Sequence, residues 1–116
     1  GLLTFDVTDP AAIQPLALFE VSEMDSPFSR MPGARFGAHQ FYEKMTGTLI
    51  YAVWFGAGLR IIDVANPMAP REVGHFIPEP AGGRPAPQTN DVALDDRGLI
   101  CIVDRNVGFD VLEFEG

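Results

Sequence analysis

Cysteine is almost absent from this chain. Cys101 is the only one in 116 residues, which excludes an internal disulfide and a cysteine-rich zinc site. It lies in the apolar run LICIV, where a thiol behaves as a small buried hydrophobe, and a single thiol leaves the redox compartment open. Positive charge is scarce as well: eight Lys and Arg face sixteen Asp and Glu, a formal charge of −8. Such a surface repels phosphate backbones and anionic lipid, so neither nucleic acid nor a membrane is expected as a partner. Long apolar runs are missing, since LIYAVWF and LICIV fall far short of a bilayer span, and no charged n-region with an apolar h-region opens the chain. Nor is there a GxSxG elbow, a Gly-rich phosphate loop, an HExxH or a CxxC pair, which disfavours a serine hydrolase and a nucleotide enzyme. No stretch holds the 3.6-residue apolar period of an amphipathic helix.

What the chain does have is a core-forming composition and a repeat. Hydrophobic residues make up 47% and charged residues 21%, as in a single globular domain. GLLTFDVTDP at residues 1–10 recurs as GLRIIDVANP at 58–67, and GFDVLEFEG from Gly108 is a fainter third copy. Upstream, TGTLIYAVWFGAGLRIIDV aligns with DRGLICIVDRNVGFDVLEF, Leu49 falling on Leu99. A period of about 50 residues is that of propeller and solenoid arrays. Short segments rich in Val, Ile, Phe, Tyr and Leu, punctuated by Gly, Asn and Pro, favour strands.

Residues 39–77 divide into four strands, HQFYEK, LIYAVWF, GLRIIDV and REVGHFI, joined at MTG, at Gly56-Ala57-Gly58 and at ANPMAP. Four antiparallel strands per repeat make a propeller blade. The second is apolar at consecutive positions, as expected of a strand covered on both faces. The fold class expected is therefore all-β: a partial β-propeller of about two four-stranded blades. Residues 1–20 supply the third and fourth strands of a shared blade, 39–77 a complete blade, and 90–115 the first three strands of a second. An all-β sandwich is the competing architecture. Propellers close with about 4 to 8 blades, so closure is expected from a ring of identical chains joined head to tail. A homotrimer is favoured, with dimer and tetramer as alternatives. The nine strands are one too many for two four-stranded blades, so either GLLTFDV or the last strand of the chain is expected to be displaced, doubled or outside the sheet.

The stretch GLRIIDVANPMAPREVGHFIP, followed by PAPQTNDVALDDRGLICIVDRNVGFDVLEF, resembles the C-terminal part of LVIVD-repeat β-propeller proteins, whose blades carry a GLxIxDVxxPxxPxxVG phrase. The resemblance covers residues 36–115, and residues 1–20 through the same phrase. It implies a propeller fold and an extracytoplasmic setting. Members of the family are several times longer, which implies a fragment or a stand-alone gene derived from one. More distantly the phrase is similar to selenium-binding-protein-like propellers, whose metal site uses His residues near the axis. Only His39 stands at a comparable strand start here, and without the multi-His pattern a copper oxidase activity is not implied.

In a blade, the start of the first strand, the end of the second and the start of the third share one face, crossed by the long connections VSEMDSPFSRMPGARFGA and PEPAGGRPAPQT. That mouth would gather His39 and Gln40, Asn90 and Asp91, and Asp104 with Arg105. His39 suits a metal ligand or general base, or else a histidine bonded to backbone. Asn90 and Asp91 would offer oxygen ligands to a hard cation, or else cap a turn. Asp104 and Arg105 would present a guanidinium to an anionic substrate, or pair at a subunit seam. Asp95-Asp96-Arg97-Gly98 reads as a hairpin turn, Gly82-Gly83-Arg84 as an extended loop, Glu43 as solvated, His75 as structural, and Trp54 as core between blades. Two functions follow as expectations. One is a hydrolase of esters, lactones or phosphoesters in which a divalent metal ion, calcium or zinc-like, activates water with catalytic His39, Asp104 and Arg105 and metal-holding His39, Asn90 and Asp91. The other is a non-catalytic scaffold binding peptide or protein on its loop face.

Overall fold

The computed structural model describes residues 1–45 and 47–116. It is all-β, with strands β1 (Leu2–Asp6), β2 (Gln14–Phe19), β3 (Phe36–Phe41), β4 (Leu49–Phe55), β5 (Leu59–Asp63), β6 (Arg71–Phe76), β7 (Thr89–Leu94), β8 (Ile100–Asp104) and β9 (Gly108–Leu112). A single 3-10 turn, Glu23–Asp25, is capped reciprocally by Ser22 and Asp25. No helix among the described residues is long and apolar enough to cross a membrane.

The strands form an antiparallel β1–β2 hairpin and one seven-stranded sheet. Within that sheet β3 to β6 make a four-stranded meander and β7 to β9 a three-stranded one. Among the described residues their ladders join at the tip of β4, where Phe55 pairs with Thr89. About this hinge the sheet curls, and the meanders close face to face. Tyr51, Val53, Leu59 and Ile61 of one meet Val92, Ile100 and Ile102 of the other. The opposite face of the first meander, with Ala52, Trp54 and Ile62, packs against Leu2 and Phe19 of the hairpin and against Val21. The Phe19 ring meets Trp54 edge to face at 5.9 Å. β4 therefore lies in the middle of three layers, which is why its apolar residues run consecutively instead of alternating. Trp54 is core, as its surroundings in sequence predict.

β3 begins three residues earlier than expected. Gly56 N–H donates to the Arg35 carbonyl and Phe36 pairs with Phe55, so the ladder runs on into the connection, with an irregularity between Phe36 and Gln40. His39 is consequently inside β3, not at its start.

The repeated DVxxP phrase has a physical job. Asp6 Oδ1 accepts from Thr8 N–H and Asp63 Oδ1 from Ala65 N–H; three residues on, Asp9 accepts from Ala11 N–H and Asn66 from Met68 N–H. Each copy thus makes two successive Asx turns that end one strand and aim the chain at the next. The Asp95–Gly98 turn is built the same way, Asp95 Oδ1 accepting from Arg97 and Leu99 N–H. Between β4 and β5, Gly58 has φ +69°, and a Cβ there would run into the Phe76 carbonyl oxygen.

Two predictions follow. Gly58→Ala should lose about 2–4 kcal/mol through left-handed strain plus the clash, whereas Gly98→Ala, equally left-handed but facing open space, should lose only about 1; urea titration of both variants checks the difference. Bonds from Thr8, Ala65 and Arg97 hold the carboxyls of Asp6, Asp63 and Asp95 below the usual carboxylate range. Their contribution is complete above the unfolded value near 3.8 and is lost as pH falls through the lowered folded values. Stability measured from pH 5 to 2 should therefore fall less steeply in an Asp6→Asn/Asp63→Asn/Asp95→Asn variant than in the wild type.

Candidate functional site

The mouth is the end of the sheet where β3, β4 and β7 converge. At the tip of β4 the chain reverses through Trp54-Phe55-Gly56-Ala57-Gly58, and Phe55 takes φ +51°, a left-handed conformation unusual for a bulky residue. Its neighbours hold it there: Phe55 pairs with Phe36 and Thr89, and its carbonyl accepts from Gly58 N–H. This places the half-exposed Phe55 ring against His39, centroids 4.5 Å apart and planes 30° apart, while the Arg35 guanidinium lies 5.8 Å from the same centroid. His39 is thus an exposed histidine with its ring against an aromatic, and Arg35 adds a cation–π contact.

Asp104 closes β8 and is 3% exposed. Gln88 N–H reaches both of its oxygens at 2.9 and 2.8 Å; Oδ1 also takes Asn106 and Val107 N–H at 2.8 and 3.0 Å, and Oδ2 takes the Thr89 hydroxyl at 2.8 Å. Its carboxylate is therefore filled by donors from the start of β7 and the β8–β9 turn, and it locks those two segments together. Arg105 is exposed, with its N–H on the Gln88 carbonyl. Asn106 Nδ2 donates to the Ala86 carbonyl at 3.0 Å.

Asn90 and Asp91 lie within β7 rather than ahead of it, because Thr89 already pairs with Asp104 and Phe55. Asp91 is exposed and turns Oδ1 back to Val92 N–H at 2.8 Å. Asn90 Oδ1 is shielded from solvent and meets no donor among the described residues. The structure joins Asp104 with the backbone of Arg105 through Gln88, and it joins His39 with Phe55. Among the described residues no three His, Cys, Asp or Glu side chains come together as a metal ion requires.

Several residues escape a reading of the sequence. Arg60, only 1% exposed in the middle of an apolar strand, donates Nε to the Ala57 carbonyl, Nη1 to both Glu72 oxygens and Nη2 to the Asp25 carbonyl, tying the long 20–35 connection to the sheet. A lone arginine within GLRIIDV was the signal. Arg35 and Arg84 lie in Pro- and Gly-rich connections, where local sequence gives no periodicity by which to place them. A cleft of about 400 Å³ separates β1 from β3 and β4, lined by Leu2, Ala38, His39, Phe41 and Trp54.

Comparison with protein-family models, with curated proteins and with solved structures found no match to this chain. Its chemistry is therefore read from its own geometry.

Asp104→Ala strands three backbone donors and one hydroxyl and should destabilise the fold by about 3 kcal/mol, whereas Asp104→Asn, which keeps one acceptor oxygen, should lose about half of that. Chemical denaturation monitored at Trp54 checks both.

Proposed function

We propose that this chain is a β-propeller segment that works as a binding scaffold and closes by stacking copies of itself head to tail. One observation carries the reading: positions that the repeat makes equivalent are buried in the middle of the chain and bare at its two faces. Leu59 and Ile61 are 1% and 2% exposed beneath the second meander, while Phe109 and Val111, which the repeat aligns with them, are 63% and 51% exposed. Val103, aligned with buried Val53, is likewise exposed. At the other end Phe5, aligned with fully buried Ile62, is 48% exposed beside exposed Leu3.

The polarity of these faces matters. Inside the chain, the Leu59–Ile61 face of one layer always receives the opposite type of face from the next. The free faces are one of each type, so they complement each other rather than themselves. Complementary unlike faces give a heterologous, head-to-tail contact that closes into a ring or runs on as a filament. Apolar patches of this kind otherwise mark an aggregation hazard. Closure at three copies, with about six blades, is the favoured ring.

A scaffold also fits the mouth better than a metal-dependent hydrolase does. The Asp104 carboxylate is already occupied by backbone and hydroxyl donors, and His39 stacks on an aromatic with no carboxylate among the described residues hydrogen-bonded to orient it.

Light scattering should give a particle of two or more times 12.6 kDa, three times for the favoured ring. Phe109→Glu and Phe5→Glu should each abolish assembly, and an equal mixture of the two variants should form a 1:1 dimer, because each keeps the face that the other has lost. A well-folded wild-type monomer at high concentration overturns the reading. On the catalytic side, esterase and phosphoesterase rates should be unaffected by chelator and by His39→Ala.

A further inference from the structure

The two longest connections meet at the mouth and leave a cleft of about 370 Å³ between them, lined by Pro32, Arg35, Arg84, Pro87, Gln88 and Asn106. Among the described residues no carboxylate lines it. In a chain of charge −8 this is a marked segregation. Arg30, Arg60, Arg71 and Arg97 are each paired with an acid, Glu23, Glu72, Asp63 and Asp95 respectively. Among the described residues Arg35 and Arg84 have no acidic partner, and both face this one cleft. Arg105 is also without one, and it stands between Asp104 and cleft-lining Asn106 with its backbone fastened to Gln88. The nearby Asp104 carboxylate is buried and already filled by four donors, which offsets its charge toward the cleft.

We infer that this cleft binds a small organic anion, its carboxylate or phosphate group held by Arg35 and Arg84. Guanidinium forks match the paired oxygens of either group and bind them bidentately. Arg35 is partly pre-set by its contact with the Phe55 ring. The Gln88 side-chain amide makes no hydrogen bond among the described residues, and Asn106 Nδ2 uses one proton on Ala86, so each has a donor left for a ligand oxygen. Proline at 32, 85 and 87 fixes φ along both walls, which lowers the ordering cost of binding. The volume lies at the small end of ligand pockets, about 300–1,000 Å³, and suits a compact di- or triacid rather than a nucleotide. The cleft is formed within one chain, so this inference stands independently of head-to-tail assembly.

Calorimetric and amide-NMR titrations of the wild-type protein with citrate and, separately, with inorganic phosphate test it. Saturable binding is expected with at least one probe, with shifts concentrated at Arg35, Arg84, Gln88 and Asn106; the tighter probe identifies carboxylate or phosphate as the preferred group. Arg84→Gln and Arg35→Gln should each weaken binding about tenfold and steepen no unfolding transition, while Arg97→Gln, whose arginine is paired on the far turn, should leave it unchanged. Absence of saturable binding below about 10 mM with both probes, or equal affinity in folded Arg35→Gln and Arg84→Gln proteins, overturns the inference.

Discussion

Burial of β4 on both faces is the constraint on which the rest of the molecule depends. Tyr51 and Val53 point to one side and Ala52 and Trp54 to the other, and all four are buried. A strand with two apolar faces needs a layer against each. The β1–β2 hairpin supplies one and the β7–β9 meander the other. The hinge at Phe55 and Thr89 lets a single sheet provide two of the three layers, and the strained Phe55 conformation is located at that hinge. Trp54 fills the hairpin-side interface, where Phe19 meets it edge to face. Adjacent residues of one strand thus serve two separate cores.

Charge is allocated with similar economy. In this acidic chain many carboxylates are turn builders: Asp6, Asp9, Asp63 and Asp95 accept from backbone N–H groups two residues on, and Asp104 holds the start of β7 to the β8–β9 turn. Arginines away from the mouth are matched with acids, and Arg60 does so from inside the protein, where its remaining donors find backbone carbonyls. A buried guanidinium is tolerated only with that degree of satisfaction. Against this background the cleft between the two long connections stands out, among the described residues, as a place where two arginines, Arg35 and Arg84, meet no carboxylate of the chain.

The strands were legible in the sequence because each is short, apolar and bounded by Gly, Pro, Asn or Asp, and the all-β class follows from them. The hairpin turn at Asp95–Gly98 and the core position of Trp54 were legible for the same local reason. The start of β3 was not, since Phe36 and Gly37 join the sheet only through pairing with Phe55, a residue 19 positions away. The candidate site was less legible still. In sequence Asp104 reads, with Arg105, as a mouth or seam residue, and only the approach of Gln88 and Thr89 makes its carboxylate a buried, fully bonded group. His39 looked like a ligand, and only the fold sets its ring against Phe55.

By itself, then, the sequence determined the local elements: the number and order of the strands, the turns of the repeated phrase, and the two-sided apolar character of β4. These depend on neighbours within a few residues, whose spacing and chemistry are written in order along the chain. Tertiary structure alone decided which carboxylate is buried, which arginines are left without a partner, and which repeat-equivalent faces remain uncovered. Those properties arise from contacts between segments tens of residues apart, and desolvation and charge pairing act on proximity in space, which the order of residues does not encode locally.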